Sequence, residues 1–217
     1  MTNIAKVIEL FPIPLYTAKI DLSISDINNI EKEDYEKMPS KNGSFSKEKY
    51  LLHNSKYENL KKEVMKHLGV YTKKYLNIQD DIKFYMQNSW SVKHDIGDWG
   101  QPHCHSNSLL SGVLYTKTNK DSGNINFLKP DGYTNLFHSS TNVPFDKIGI
   151  HNCKEYNIQP QIGDILLFPS HLLHAIEENK SNTDRYSVSF NFHIEGELMT
   201  KKSKIDYLKL KEFKYGG

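Results

Sequence analysis

Gly163–His193, GDILLFPSHLLHAIEENKSNTDRYSVSFNFH, is the stretch on which the reading of the fold turns. It carries two strand patterns with a polar turn between them. Ile165-Leu166-Leu167-Phe168 is a continuous apolar run that Pro169 stops. From Arg185 onward the pattern alternates, with Arg185, Ser187, Ser189 and Asn191 on one face and Tyr186, Val188, Phe190 and Phe192 on the other. A period of two puts the four polar side chains on one side of a sheet and the apolar set on the packed side. Arg185 is also the only arginine, since 27 of the 28 basic residues are lysine. A guanidinium can grip a carboxylate or phosphate at two points, which an ammonium cannot do. The plain alternative is a surface ion pair with Asp184 or Glu177.

The whole chain, 217 residues, bounds one domain or one domain with an extension. Hydrophobic residues make up 37% and aromatics 12%, enough for a core, while a mean hydropathy of −0.63 implies a very polar surface. The net charge is only +2 and the lysines are dispersed, so no nucleic-acid footprint is expected. No apolar run approaches membrane-spanning length, and the N-terminus lacks the apolar core of a secretory signal. Two cysteines, Cys104 and Cys153, make no disulfide framework, which fits a reducing, cytoplasmic setting.

The first 80 residues read as structural. Ile8–Ile20 is apolar but broken by Pro12 and Pro14, which suits an edge strand or extended arm. Residues 22–37 carry a weak helical pattern, and Lys41–Ser46 reads as a polar loop. Ser55-Lys-Tyr-Glu58 is a capping-box signature opening a helix with an apolar stripe at Leu60, Val64, Leu68, Tyr71 and Tyr75. That helix is expected to brace a sheet. From about Ile82 the texture is β: Phe84–Val92 alternates, with Tyr85, Gln87 and Ser89 on one face, and Leu109–Thr116 and Ile125–Leu128 are further strands. Short strands with glycine-marked turns predict a mainly β sandwich or jelly roll with flanking helices.

Gln101-Pro-His103-Cys104-His105-Ser-Asn107 precedes the Leu109 strand. Two histidines one residue apart in extended chain point the same way and can reach one metal, with Cys104 turned to the other side, toward the core. A third histidine, His174, follows the strand that ends in Phe-Pro-Ser, and Arg185 lies on the next strand. Two ligands early, one late and an anion fork beyond them point to a metal with a bound dicarboxylate. Asp95, Asp98 and Asp131 are alternative carboxylate ligands.

His103-x-His105-x-Asn107-Ser-x-Leu-Ser-Gly-Val-Leu-Tyr115, then Pro160-x-x-Gly163-Asp164 through Phe168-Pro-Ser-x-Leu-x-His174, then Arg185-Tyr-Ser187-Val-Ser-Phe-Asn191, resembles the Fe(II)/2-oxoglutarate-dependent oxygenases, in particular small members from bacteria and their phages. The resemblance spans roughly residues 83–194. It implies a double-stranded β-helix with Fe(II) at its open mouth, held by His103, His105 and His174, with His171 as a neighbouring decoy for the late ligand. It further implies 2-oxoglutarate as cosubstrate, gripped by Arg185 and Ser187, with Tyr115, Asn107 and Asn191 as further contacts. Tyr85, Gln87 and Ser89 would line the substrate or cosubstrate pocket. Most of the superfamily has a carboxylate where this chain has His105. Three neutral imidazoles leave the metal one charge unit more positive and should raise the Fe(III)/Fe(II) potential.

The expected reaction is oxidative decarboxylation of 2-oxoglutarate to succinate, coupled through O₂ to oxidation, most simply hydroxylation, of a further substrate; ascorbate would help in vitro. The domain plan is an arm with bracing helices over 1–80, an oxygenase core over 81–196 and an extension over 197–217. Residues 131–153 and 201–217 are expected to shape the substrate pocket, and they carry no motif that names the substrate. The oligomeric state is left open, a homodimer included, and the setting is cytoplasmic (the host's, for a phage protein). The competing class is a cupin-type metal protein, an isomerase or non-oxoglutarate dioxygenase, and behind it a non-catalytic jelly-roll binder. Gly97-(x)5-His103-x-His105 fits the first cupin signature, but cupins need no anion fork one strand past the last ligand.

Overall fold

The computed structural model describes residues 5–129, 143–200 and 203–210. Two antiparallel sheets face each other. The larger runs β1 (Tyr16–Lys19), β9 (Asp164–Pro169), β6 (Leu110–Lys117), β11 (Arg185–Thr200), β4 (Lys83–His94), β3 (Ser44–Ser46), β2 (Tyr35–Lys37), with β12 (Ser203–Leu210) pairing the outer part of β11. The smaller runs β5 (Gly100–His103), β10 (His174–Ile176), β7 (Ile125–Leu128), β8 (Glu155–Ile158). This is the expected mainly β, jelly-roll architecture. No helix among the described residues is long and apolar enough to cross a membrane.

The two halves of the opening stretch are not a hairpin. β6 lies between β9 and β11, and His174–Ile176 forms β10 in the other sheet. The chain between the two strands therefore crosses the sandwich, which brings His174 over the inner face.

The alternation in β11 decides the layering. Val188, Phe190 and Phe192 are buried on the outer face of the large sheet among Leu51, Leu52, Leu60, Val64 and Leu68 of the helical layer. Burying each such side chain contributes about 1.5–3 kcal/mol. The inner face meets the small sheet through Val113, Leu166, Phe168, Ile125 and Phe127.

The helical layer contains α1 (Ile24–Glu31), capped by Ser23 Oγ accepting from Asp26 N at 3.0 Å, and α2 (Glu58–Val70). Leu60, Val64, Leu68 and Tyr71 are buried as the stripe predicts, but Tyr75, on a terminal π turn, is exposed. The capping box does not form. Ser55–Tyr57 is a 3₁₀ turn capped by Asn54, and Tyr57, with no side-chain cap bond, precedes α2. Tyr57 is fully buried and its hydroxyl donates to Glu33 Oε1 at 2.6 Å, so a tertiary anchor sets the helix start.

Lys41–Ser46 is not wholly loop, because Ser44–Ser46 is β3. Its polarity is matched by bonding: Ser46 Oγ accepts from Ser91 N at 2.9 Å and donates to Glu48 O at 2.8 Å. Strands β1, β2 and β3 also show that the first 80 residues contribute to the large sheet itself. β1 occupies its edge, as the prolines before it suggested.

Gly112, in the middle of β6, is required by packing. A Cβ there would lie 2.4 Å from Phe190 Cε2 and 2.6 Å from Leu166 O. Because one of those contacts is backbone, Gly112→Ala is expected to cost about 1–3 kcal/mol through overpacking. Urea unfolding would show it as a lower midpoint at unchanged slope; an unchanged midpoint would mean that β6 can shift freely.

Candidate active site

His103 ends β5 and His174 begins β10, where the two are direct partners in the ladder. His105 follows β5 and is tied down by its backbone N donating to Ser170 O at 2.9 Å. The three imidazoles converge, with ring centroids 4.3–5.3 Å apart, and each offers a ligand atom within 4.8 Å of the others. Among the described residues this is the side-chain cluster with metal-holding geometry.

Every Nδ1 in the cluster faces an oxygen. His103 meets Gln101 O at 2.8 Å, His174 meets Leu172 O at 2.9 Å, and His105 meets Asn191 Oδ1 at 2.6 Å. Carbonyl oxygens only accept, so each Nδ1 carries the proton and each Nε2 presents its lone pair, the tautomer a metal needs. Burial, reinforced by His103, pulls the pKa of His174 down to about 3; burial likewise lowers that of His105. Both rings are neutral at neutral pH. The donor set fits a divalent first-row metal.

Asn191 is held in turn. Its Oδ1 also accepts from Ser111 Oγ at 2.7 Å, and Ser111 is bonded to Ser170 Oγ at 2.7 Å. The amide oxygen expected to contact cosubstrate is thus engaged with a histidine of the cluster. Ser111 and Ser170 fall within the motif quoted above, but this role was not legible there, because their partners come from other strands.

Further along the inner face, Ser187 is the ladder partner of Tyr115, and Arg185 that of His94. Arg185 is 1% exposed. Neither carboxylate named as a surface partner reaches it: Asp184 pairs with Lys93 at 3.1 Å, and Glu177 accepts from Asn124 N and Asn126 Nδ2. Its Nη1 donates to Ser122 O (3.1 Å) and Gly123 O (3.4 Å), its Nη2 donates to His94 Nδ1 (2.9 Å), and its Nε has no partner. Burial lowers the guanidinium pKa. The buried Tyr115 hydroxyl is also unpartnered, and burial pushes its pKa up to about 12, so it remains a proton donor. A buried cation without a counter-anion among the described residues, beside an unused phenol donor, fits a carboxylate ligand. Both atoms are sealed from solvent, so an incoming carboxylate must displace neighbouring side chains.

The remaining expected residues separate. Gln87 is the extra residue of a β-bulge, since Asn191 pairs with Asn88 and Phe192 with Met86. The bulge breaks the simple alternation. Tyr85, opposite His193, lies on the inner face with Asn88, while Ser89 is turned outward to accept from Leu52 N at 2.9 Å. Ser89 is therefore part of the helical layer and not of the pocket. Trp90, opposite Ser189, stands 5.9 Å from the His105 ring and joins the inner face unannounced by the sequence. Asn107 is exposed in a left-handed turn (φ 61°), a conformation asparagine tolerates. Cys104 is exposed, not in the core, because β5 is a solvent-facing edge. His171 is exposed and outside the cluster. Asp95 and Asp98 are bound by Lys37 at 2.9 and 2.6 Å, away from the imidazoles. Asp131, much of 131–153, and parts of 201–217 lie outside the described residues.

A two-sheet jelly roll with a converging imidazole cluster and a buried guanidinium defines a metal-dependent enzyme class of the double-stranded β-helix type. A family model described as "Putative 2OG-Fe(II) oxygenase" matches residues 88–191, the segment that holds all of these groups. Over that segment the chain is similar to the Fe(II)/2-oxoglutarate-dependent oxygenases. Three solved structures are similar in fold. A Pseudomonas putida prolyl-4-hydroxylase gives 13% identity and TM-score 0.54, covering 83% of this chain and 92% of that one. The non-haem α-ketoglutarate-dependent epimerase SnoN from nogalamycin biosynthesis gives 11%, 0.57, 83% and 78%. HygX from Streptomyces hygroscopicus, solved with nickel and 2-oxoglutarate bound, gives 10%, 0.55, 83% and 82%. No curated protein matches in sequence.

Asn191→Ala should weaken metal binding about 10–100-fold, the usual effect of removing a residue that orients a ligand. His105→Ala should weaken it more, and His171→Ala not at all. Competition with a chromophoric chelator measures all three; wild-type affinity in His105→Ala would send the search back to a carboxylate.

Proposed function

We propose that His103, His105 and His174 hold Fe(II) through their Nε2 atoms, and that Arg185, Ser187 and Tyr115 bind the distal carboxylate of 2-oxoglutarate. The observation that carries this reading is the buried guanidinium, with no carboxylate partner among the described residues, on the inner face of the sheet opposite the one that carries His103 and His174. Bound there, iron and 2-oxoglutarate supply oxidative decarboxylation to succinate and CO₂, coupled through O₂ to oxidation of a second substrate. Asn191, backed by Ser111 and Ser170, keeps His105 in the ligating tautomer. Arg185 provides charge and direction for the carboxylate, and the Tyr115 hydroxyl a further proton. Phe168 and Phe127, with ring centroids 5.0 and 6.0 Å from His174, wall the cluster on its inner side and exclude water.

Hydroxylation is the proposed outcome. It is the simplest outcome of this chemistry, and one structural neighbour is a hydroxylase, although another is an epimerase. Trp90, Asn88, Tyr85 and His193 lie on the inner face around and beyond the imidazole level, and we assign the substrate to this side. The free cysteines and lysine-rich polar surface suit a reducing cytoplasm.

With Fe(II), ascorbate and O₂, the purified protein should convert 2-oxoglutarate to succinate slowly without added substrate. Arg185→Lys keeps the charge but loses one of two charged hydrogen bonds, each worth roughly 1.5–3 kcal/mol, so 2-oxoglutarate affinity should fall about ten- to a hundredfold. Metal affinity should stay unchanged. Absence of succinate from iron-loaded protein, together with equal affinity in the variant, would return the chain to the cupin or non-catalytic readings.

A further inference from the structure

His94 ends β4 directly opposite Arg185 and is 4% exposed. Its Nδ1 lies 2.9 Å from Arg185 Nη2. A guanidinium has donors only, so this Nδ1 carries the lone pair and the ring proton sits on Nε2. The surroundings hold the ring in that one pose. A Cβ on Gly43 would come within 3.1 Å of His94 Nε2, and the His94 carbonyl accepts from Asn179 Nδ2 at 3.0 Å. Burial, reinforced by Arg185, lowers the His94 pKa to about 3, so the ring is neutral.

The other guanidinium partners are the Ser122 and Gly123 carbonyls. A Cβ on Gly123 would fall 2.5 Å from Glu177 O, which keeps that carbonyl close to its place. Among the described residues the hydrogen-bond partners of Arg185 are thus all neutral acceptors. They fix the plane of the fork, occupy Nη1 and one side of Nη2, and leave Nε–H unpartnered. They also leave the full positive charge available, whereas a carboxylate at position 94 would neutralise it from within.

We propose that His94 is a positioning residue for cosubstrate recognition, a neutral acceptor that aims the Nε edge of Arg185 at the distal carboxylate of 2-oxoglutarate without competing for its charge. This rests on the cosubstrate reading given above. The discriminating pair is His94→Asn and His94→Asp, side chains of nearly one shape that can both place Oδ1 near the position of Nδ1. Asn keeps a neutral acceptor; Asp adds the internal competitor.

Titration of 2-oxoglutarate into anaerobic Fe(II)-loaded protein, with metal affinity and melting temperature measured alongside, separates the outcomes. Affinity is expected to stay within a few-fold of wild type in His94→Asn. In His94→Asp it should drop by about a hundredfold or more, as expected when a charged hydrogen-bond partner is captured elsewhere, with metal affinity unchanged and a melting temperature no lower than that of His94→Asn. A purely packing role would lower both variants alike, and that result, or two variants that both retain affinity, overturns the proposal. Should the variants not fold, the ¹⁵N resonances of the wild-type His94 ring decide: a protonated Nδ1 overturns it, a bare Nδ1 with protonated Nε2 in the 2-oxoglutarate complex upholds it. Wild-type protein that binds Fe(II) but no 2-oxoglutarate removes the cosubstrate reading and this inference together. Wild-type binding with indistinguishable variants removes this inference alone.

Discussion

The ladder that joins β11 to β4 and β6 is the constraint on which the rest depends. Its outer residues, Val188, Phe190 and Phe192, glue the helical layer to the sheet, and its inner residues, Arg185, Ser187 and Asn191, carry the polar site. A one-residue slip would exchange the two faces, burying a guanidinium among leucines and turning phenylalanines to the metal cluster. Folding energy and site geometry are therefore enforced by the same hydrogen bonds. Gly112, pressed by Phe190 and by Leu166 O, allows no extra bulk where β6 meets β11.

The inner face solves two opposite electrostatic problems. The imidazoles must stay neutral to ligate, and burial together with an oxygen at each Nδ1 achieves that. The guanidinium must stay charged while buried, and neutral acceptors engage its Nη1 and Nη2 without cancelling its charge, leaving Nε–H free among the described residues. Carboxylates near this region are drawn off by lysines: Asp95 and Asp98 by Lys37, Asp184 by Lys93. Were a divalent metal held by the three neutral imidazoles, it and an arginine with no carboxylate partner among the described residues would both favour an anionic ligand.

Structural neighbours of similar fold include a hydroxylase and an epimerase. The shared framework fixes a place for metal and cosubstrate, and the outcome depends on groups set around that place. Under the proposed assignment such groups in this chain are Trp90, Asn88, Tyr85 and His193, contributed by β4 and β11.

Residue type and period alone determined the jelly-roll class, the two faces of β11, the stripe of α2 and the three histidines with Arg185, because each is a local pattern repeated at the spacing of its element. Resemblance supplied the cosubstrate. What the sequence could not determine came from contacts between distant segments. The bulge at Gln87 turned Ser89 outward, Tyr57 displaced the capping box, and paired serines made a strand of Ser44–Ser46. The roles of His94 and Asn191 were equally hidden. One faces Arg185 and the other His105 across 91 and 86 residues of chain, and only sheet register, a property of the folded ladder, brings those atoms within hydrogen-bonding distance.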